Sequence, residues 1–170
     1  VRQPCGAPVA ERVEEHLREQ GVHLHLETAV SGFSGDGAVE RVQFDDTSEP
    51  ADIAVVGVGV EPNVDPATEA GIELGPTGAI ATDEFGRTNL ENVYAAGDCT
   101  EARHVVTGEP DYVPLALTAN RSGRAIGQTV TGRPTPVGET AGTAIVKAFD
   151  FGAARTGLVD EDRAREAGFE

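Results

Sequence analysis

The chain has 170 residues, enough for one domain or for pieces of two. Its 29 acidic residues against 13 basic give a net charge of −16, which repels nucleic acid and anionic membrane surfaces and leaves neither as an expected partner. Hydrophobic residues make up 39% of the chain, enough for a globular core, but no apolar run reaches the roughly 18 residues of a membrane span.

Residues 8–20, PVAERVEEHLREQ, read as an amphipathic helix: Val9, Val13 and Leu17 recur every four residues, Pro8 suits the first turn and Gly21 the stop. Glu14 and Arg18 are spaced to pair across one turn. Val22-His23-Leu24-His25-Leu26 alternates with period two and predicts a strand with one apolar face. His23 and His25 then point the same way, but with no third ligand nearby they read as solvent-facing histidines rather than a metal pair. Gly35-Asp36-Gly37 turns a hairpin between Ala29–Phe33 and Val39–Phe44, followed by an acidic loop over 45–52. Ile53–Val58 reads as a further buried strand, closing on Gly59-Val60-Glu61-Pro62-Asn63.

Gly75, Pro76, Gly78 and Gly86 mark turns between short strands over 71–88. Val93–Ala96 is then an unbroken apolar run stopped by Gly97-Asp98, the pattern of a strand buried on both faces. Ligands of open α/β sheets sit beyond the carboxyl ends of such strands. A glycine there lets a ligand approach the backbone, and an aspartate offers a charged acceptor to a hydroxyl. The alternative is a strand followed by an ordinary Gly-Asp turn. The polar loop TEARHVVTGEPDY follows, in which His104 reads as a surface residue. Pro114 opens a second helix, PLALTANRSGRAIGQTV, ended by Gly132, with Leu115, Ala119, Gly123, Ile126 and Val130 on one face. The unpaired amides at its start carry partial positive charge. The remainder gives two strands and a short helix with Asp160 as N-cap.

Cys5 and Cys99 are the only cysteines and form no CxxC spacing, which excludes a disulfide framework and a zinc site. Cys99, at a strand end, reads as inert packing. Lys147 is the only lysine beside twelve arginines. Such an acidic, lysine-poor composition points to a salt-loving source, with folding that depends on screening. The opening Val-Arg-Gln-Pro-Cys-Gly has no apolar signal core, so a cytoplasmic location is expected.

Thr88-Asn89-Leu90-Glu91-Asn92-Val93-Tyr94-Ala95-Ala96-Gly97-Asp98 resembles the second flavin motif of the FAD- and NAD(P)-dependent pyridine nucleotide-disulfide oxidoreductases. The resemblance implies that Asp98, beside Gly97, hydrogen-bonds a hydroxyl of the FAD ribityl chain. GVEPN resembles the crossover from the NAD(P)H domain to the flavin domain, with Gly59 lining the nicotinamide approach. PLALTANRSGR is similar to a helix of the NADH oxidase and coenzyme A-disulfide reductase branch, and implies that Pro114, Leu115 and Ala116 present backbone groups to the flavin ring. Residues 136–170 look like the opening of the family's dimerisation domain, so a homodimer is expected. The implied fold is α/β, a partial two-dinucleotide-binding-domain flavoprotein. Its parts are the end of the NAD(P)H domain over 1–62, the end of the FAD domain over 63–135, and the start of an α+β dimerisation domain over 136–170.

No G-x-G-x-x-G occurs in the chain, although the family uses two such phosphate loops, one for FAD and one for NAD(P)H. Neither cysteine stands where the family's redox cysteine does. The resemblance therefore implies a C-terminal piece whose partner is the upstream part of the same enzyme. Two readings stand. One is part of an enzyme passing hydride from NADH through FAD to oxygen or a disulfide. The other is a non-catalytic apo scaffold that dimerises.

Overall fold

A computed structural model describes residues 6–44 and 47–169; Cys5 lies outside the described residues. The chain is mixed α/β and divides into two compact units, one of residues 14–59 and one of residues 1–13 with 60–170. Helix α1 (Ala7–Glu19) runs across the boundary. It ends as its sequence predicts. The Gly21 N–H donates to the Arg18 carbonyl at 3.0 Å and the Val22 N–H to the Leu17 carbonyl at 3.0 Å, which satisfies the last turn. The predicted pair forms, with Arg18 Nη2 3.7 Å from Glu14 Oε2. Ala10 and Val13 are the buried apolar residues of this helix.

In the 14–59 unit, β1 (Val30–Ser34), β2 (Arg41–Phe44) and β3 (Ser48–Pro50) form an antiparallel meander in the order β1-β2-β3. The predicted hairpin is present, with Phe33 opposite Val42 and Ser34 opposite Arg41. β3 lies inside the stretch expected to be loop. Its polar residues carry no period-two signal, and what makes it a strand is pairing with β2, Val42 opposite Glu49.

Two expected strands of this unit do not form. Val22–Leu26 keeps its alternating exposure over the first four residues but has no ladder partner among the described residues. Ile53–Val58 is not buried: Ile53 is 81% exposed, Val55 92% and Val58 93%, with no backbone hydrogen bond to the described residues along the segment. A strand buried on both faces needs a neighbour on each edge, and no described residue supplies one.

The other unit contains α2 (Asp65–Glu69), β4 (Ala102–Arg103), β5 (Pro110–Asp111), α3 (Ala116–Val130), β6 (Ala144–Ala148), β7 (Phe151–Arg155) and α4 (Glu161–Glu166). β4 pairs with β5, and β6 with β7, each antiparallel. The two strands, the short helix and the Asp160 N-cap expected at the C-terminal end are all present, the cap carboxylate accepting from the Arg163 N–H at 2.9 Å. The core is small and rich in alanine: Ala67, Ala79, Ile80, Ala125 and Ala153.

The strands expected over 71–98 reduce to single bridges, Leu74 with Ile80, Ile80 with Thr100, and Arg87 with Tyr94. Val93–Ala96 is half-buried, not a doubly covered strand, for the same want of neighbours. α3 begins at Ala116, two residues later than Pro114, and is closed by Gly132 and Arg133, whose N–H groups donate to Thr129 and Gln128. Its buried positions are Ala125 and Thr129, one step around the helix from the predicted apolar stripe, and Val130 is exposed. Thr129 wins burial because its hydroxyl is satisfied locally, donating to the Thr135 carbonyl at 3.2 Å and accepting from the Thr135 N–H at 3.0 Å. No helix among the described residues is long and apolar enough to cross a membrane.

Candidate functional site

Gly97 and Asp98 sit on a tight turn rather than at the rim of a formed parallel sheet. Gly97 has φ +102, a backbone state that side-chain-bearing residues rarely adopt, and open space lies where a Cβ would project. The Gly97 carbonyl accepts twice from Thr100, from its N–H at 3.1 Å and from its hydroxyl at 2.9 Å. The far side is anchored to the core: Ile80 N–H donates to the Cys99 carbonyl at 2.8 Å, and Glu101 N–H to the Ile80 carbonyl at 3.0 Å. Asp98 is exposed, and no described residue donates to its carboxylate. A braced turn thus holds out an unsatisfied anionic acceptor.

From that turn the chain runs through β4 and back along β5 into α3. The helix starts at a bare N-terminus. Its N-cap Leu115 is extended, with φ −126 and ψ 133, and gives no side-chain cap. The Ala116, Leu117 and Thr118 N–H groups find no backbone acceptor among the described residues. They leave donors and the positive end of the helix dipole facing outward. Leu115 N–H donates to the Val113 carbonyl at 2.8 Å, which fixes the turn after Pro114.

Tyr112 joins these parts, and sequence reasoning passed over it as the end of a polar loop. Burial pushes its phenol above the ordinary tyrosine range, and the negative charges of Asp98, Cys99 and Glu61 push it further. The phenol is thus within the electrostatic influence of Asp98 in the turn and of Glu61 in the GVEPN segment. The available signal was an aromatic residue placed just ahead of the Pro-Leu helix start.

His104 is 2% exposed, not a surface residue: its N–H donates to the Glu109 carbonyl at 2.9 Å, and Nδ1 accepts from the Val106 N–H at 3.3 Å. His25 stacks on Phe44 at 4.9 Å and lies 3.1 Å from Glu49, and the described residues hold no cluster able to bind a metal. Cys99 is half-buried with Sγ 3.7 Å from the Ala96 carbonyl. Gly59 belongs to the 14–59 unit and has φ +100 with open space around it. A cavity of about 530 Å³ is lined by Thr82, Glu101, Arg103, Thr118, Ser122 and Glu139, without Asp98. Its charges are spent internally: Arg103 pairs with Glu139 at 3.3 Å, and Glu101 accepts from the Thr77 N–H and hydroxyl at 2.9 and 2.7 Å.

The family model for pyridine nucleotide-disulphide oxidoreductases matches residues 1–123. The chain belongs to this family. It is 36% identical over 166 residues to a CoA-dependent NAD(P)H sulfur oxidoreductase of Pyrococcus furiosus, covering 98% of this chain and 37% of that protein. It is 31% identical to an NADH oxidase of Methanocaldococcus jannaschii, covering 88% of this chain and 33% of that one. The structure of an NAD-dependent persulfide reductase from A. fulgidus superposes with a TM-score of 0.83 at 42% identity, over 94% of this chain and 30% of that one. The chain therefore spans about a third of the length of the relatives it matches. The fold is part of a flavoprotein disulfide-reductase fold, and the TM-score holds even though several of the expected ladders are absent.

Proposed function

We propose that this chain is part of an FAD-dependent NAD(P)H oxidoreductase that passes hydride from NADH by way of FAD to oxygen or a disulfide. The observation that carries the reading is the unsatisfied carboxylate of Asp98, held out on its braced turn in the same unit as the bare N-terminus of α3. These groups fit a flavin. Asp98 would accept from a ribityl hydroxyl, and open Gly97 would let the chain of the cofactor lie against the backbone. Pro114, Leu115 and Ala116 would set backbone groups at the ring edge, where the helix dipole favours negative charge. Gly59 would line the nicotinamide approach. A bound flavin would supply the two-electron relay between a nicotinamide and the terminal acceptor. The residues of this chain would bind and orient it. We assign residues 1–62 to the NAD(P)H domain, 63–135 to the FAD domain and 136–170 to a dimerisation domain.

A second reading is favoured by the absence of any G-x-G-x-x-G from these residues, since no backbone loop here cradles a pyrophosphate. On that reading residues 1–170 by themselves are a non-catalytic apo scaffold. The β6–β7 hairpin, with Ile145 and Phe149 exposed, would serve as its self-association surface. A visible spectrum separates the two. Flavin absorbance bleached by NADH in the purified 170-residue chain supports the enzyme, and a colourless chain supports the scaffold.

A further inference from the structure

We propose that Arg163 of α4, acting through Asp111, is a positioning residue for the flavin rim; this rests on the flavin reading above. Asp111 is the last residue of β5, the strand that leads into Tyr112 and the start of α3. Its two carboxylate oxygens do different work. Oδ1 accepts from the Tyr112 N–H at 2.9 Å, which fixes the backbone that leads into Pro114 and the start of α3. Oδ2 accepts from Arg163 Nη2 at 3.0 Å, an ion pair in which Asp111 is the more buried partner. Asp111 also lies opposite Ala102 in the β4–β5 ribbon, and Ala102 follows closely on the Asp98 turn. Asp111 thus ties both halves of the rim: its backbone pairs with the strand that follows the Asp98 turn, and its carboxylate holds the entry that presents the α3 amides.

Arg163 is itself held. Its N–H donates to the Asp160 N-cap at 2.9 Å, which seats it in the first turn of α4. The side chain then crosses 52 positions of sequence to reach Asp111. The C-terminal segment is in this way tied to the proposed cofactor rim by a charge-assisted contact. The consequence is that the two are coupled: whatever displaces α4 loosens Tyr112 and the α3 entry.

The test uses the full-length, flavin-loaded protein with the variants Arg163→Gln and Asp111→Asn, their double, and the conservative Arg163→Lys. Flavin affinity is read by fluorescence titration beside the melting temperature of the flavin-free protein. Each single variant is expected to weaken flavin binding about two- to fivefold, the size of a partly exposed ion pair. The double variant should be no weaker than either single, because both remove one interaction. Arg163→Lys, which keeps the charge, should recover most of the affinity. Unchanged flavin affinity in both singles, with only the melting temperature lowered, would overturn the coupling and leave the pair a plain structural brace. Additive losses in the double would overturn it too. A wild-type full-length protein that binds no flavin would instead remove the reading on which the coupling rests.

Discussion

Ile80 and Val55 stand in similar short apolar runs and meet opposite fates. Ile80 is 6% exposed, and its backbone is bonded to the chain just after Asp98, donating to Cys99 and accepting from Glu101. Val55 is 92% exposed, and the segment around it makes no backbone hydrogen bond to the described residues. Each aliphatic side chain left in water forgoes about 1.5–3 kcal/mol relative to burial, so hydrophobicity alone did not decide the difference. A partner did. The residues around Ile80 find theirs at Glu73–Gly75 and Cys99–Glu101, whereas those around Val55 find none among the described residues. The braced region is also the one that presents the candidate site.

The contrast can be broken by substitution. The largest effect is expected at Gly86, which is buried with φ +76 and would bring a Cβ to 2.2 Å from Ile126 Cδ1 of α3. Gly86→Val should cost about 2–4 kcal/mol from backbone strain and overpacking, read by urea unfolding. Screening acts on the whole charged surface. With a net charge of −16, molar KCl should strengthen folding by on the order of 1 kcal/mol, and a salt-independent melting temperature would contradict the expectation of a salt-adapted protein.

A smaller effect concerns Tyr112. Its folded phenol titrates above the unfolded value of 10.0, so its contribution is full below that pH and is lost as pH rises through the folded value. Tyr112→Phe should therefore flatten part of the alkaline fall in stability, and an unchanged alkaline slope would place the phenol outside the influence of Asp98 and Glu61. The smallest effect is expected at Val55: Val55→Ser in the 170-residue chain should change stability by no more than about 0.5 kcal/mol. A large loss there would mean that the segment is packed after all.

What could be read from the sequence was what the chain encodes locally. The helices of 7–19 and 116–130 follow from spacing, proline and glycine, the Asp160 cap from one residue type, and the β1–β2 hairpin from Gly35-Asp36-Gly37. What escaped depends on residues far apart in sequence. Val22–Leu26, Ile53–Val58 and Val93–Ala96 carry strand patterns, but a pattern cannot supply a neighbouring strand. The reverse error hid β3, whose Ser-Glu-Pro has no strand signature and is a strand because β2 accepts it. His104 looked like a loop residue and is buried by a bridge to Thr140, 36 positions on. The Asp98 turn was legible as a motif, while Tyr112 and the Asp111–Arg163 contact needed coordinates, because nothing in their spacing brings them together.

The central claim concerns a single carboxylate, and flavin affinity of the full-length protein with and without Asp98→Ala tests it most directly. Loss of a charge-assisted hydrogen bond should weaken binding by about 1–3 kcal/mol, roughly 5- to 150-fold in dissociation constant. An affinity equal to that of the wild type would contradict the account.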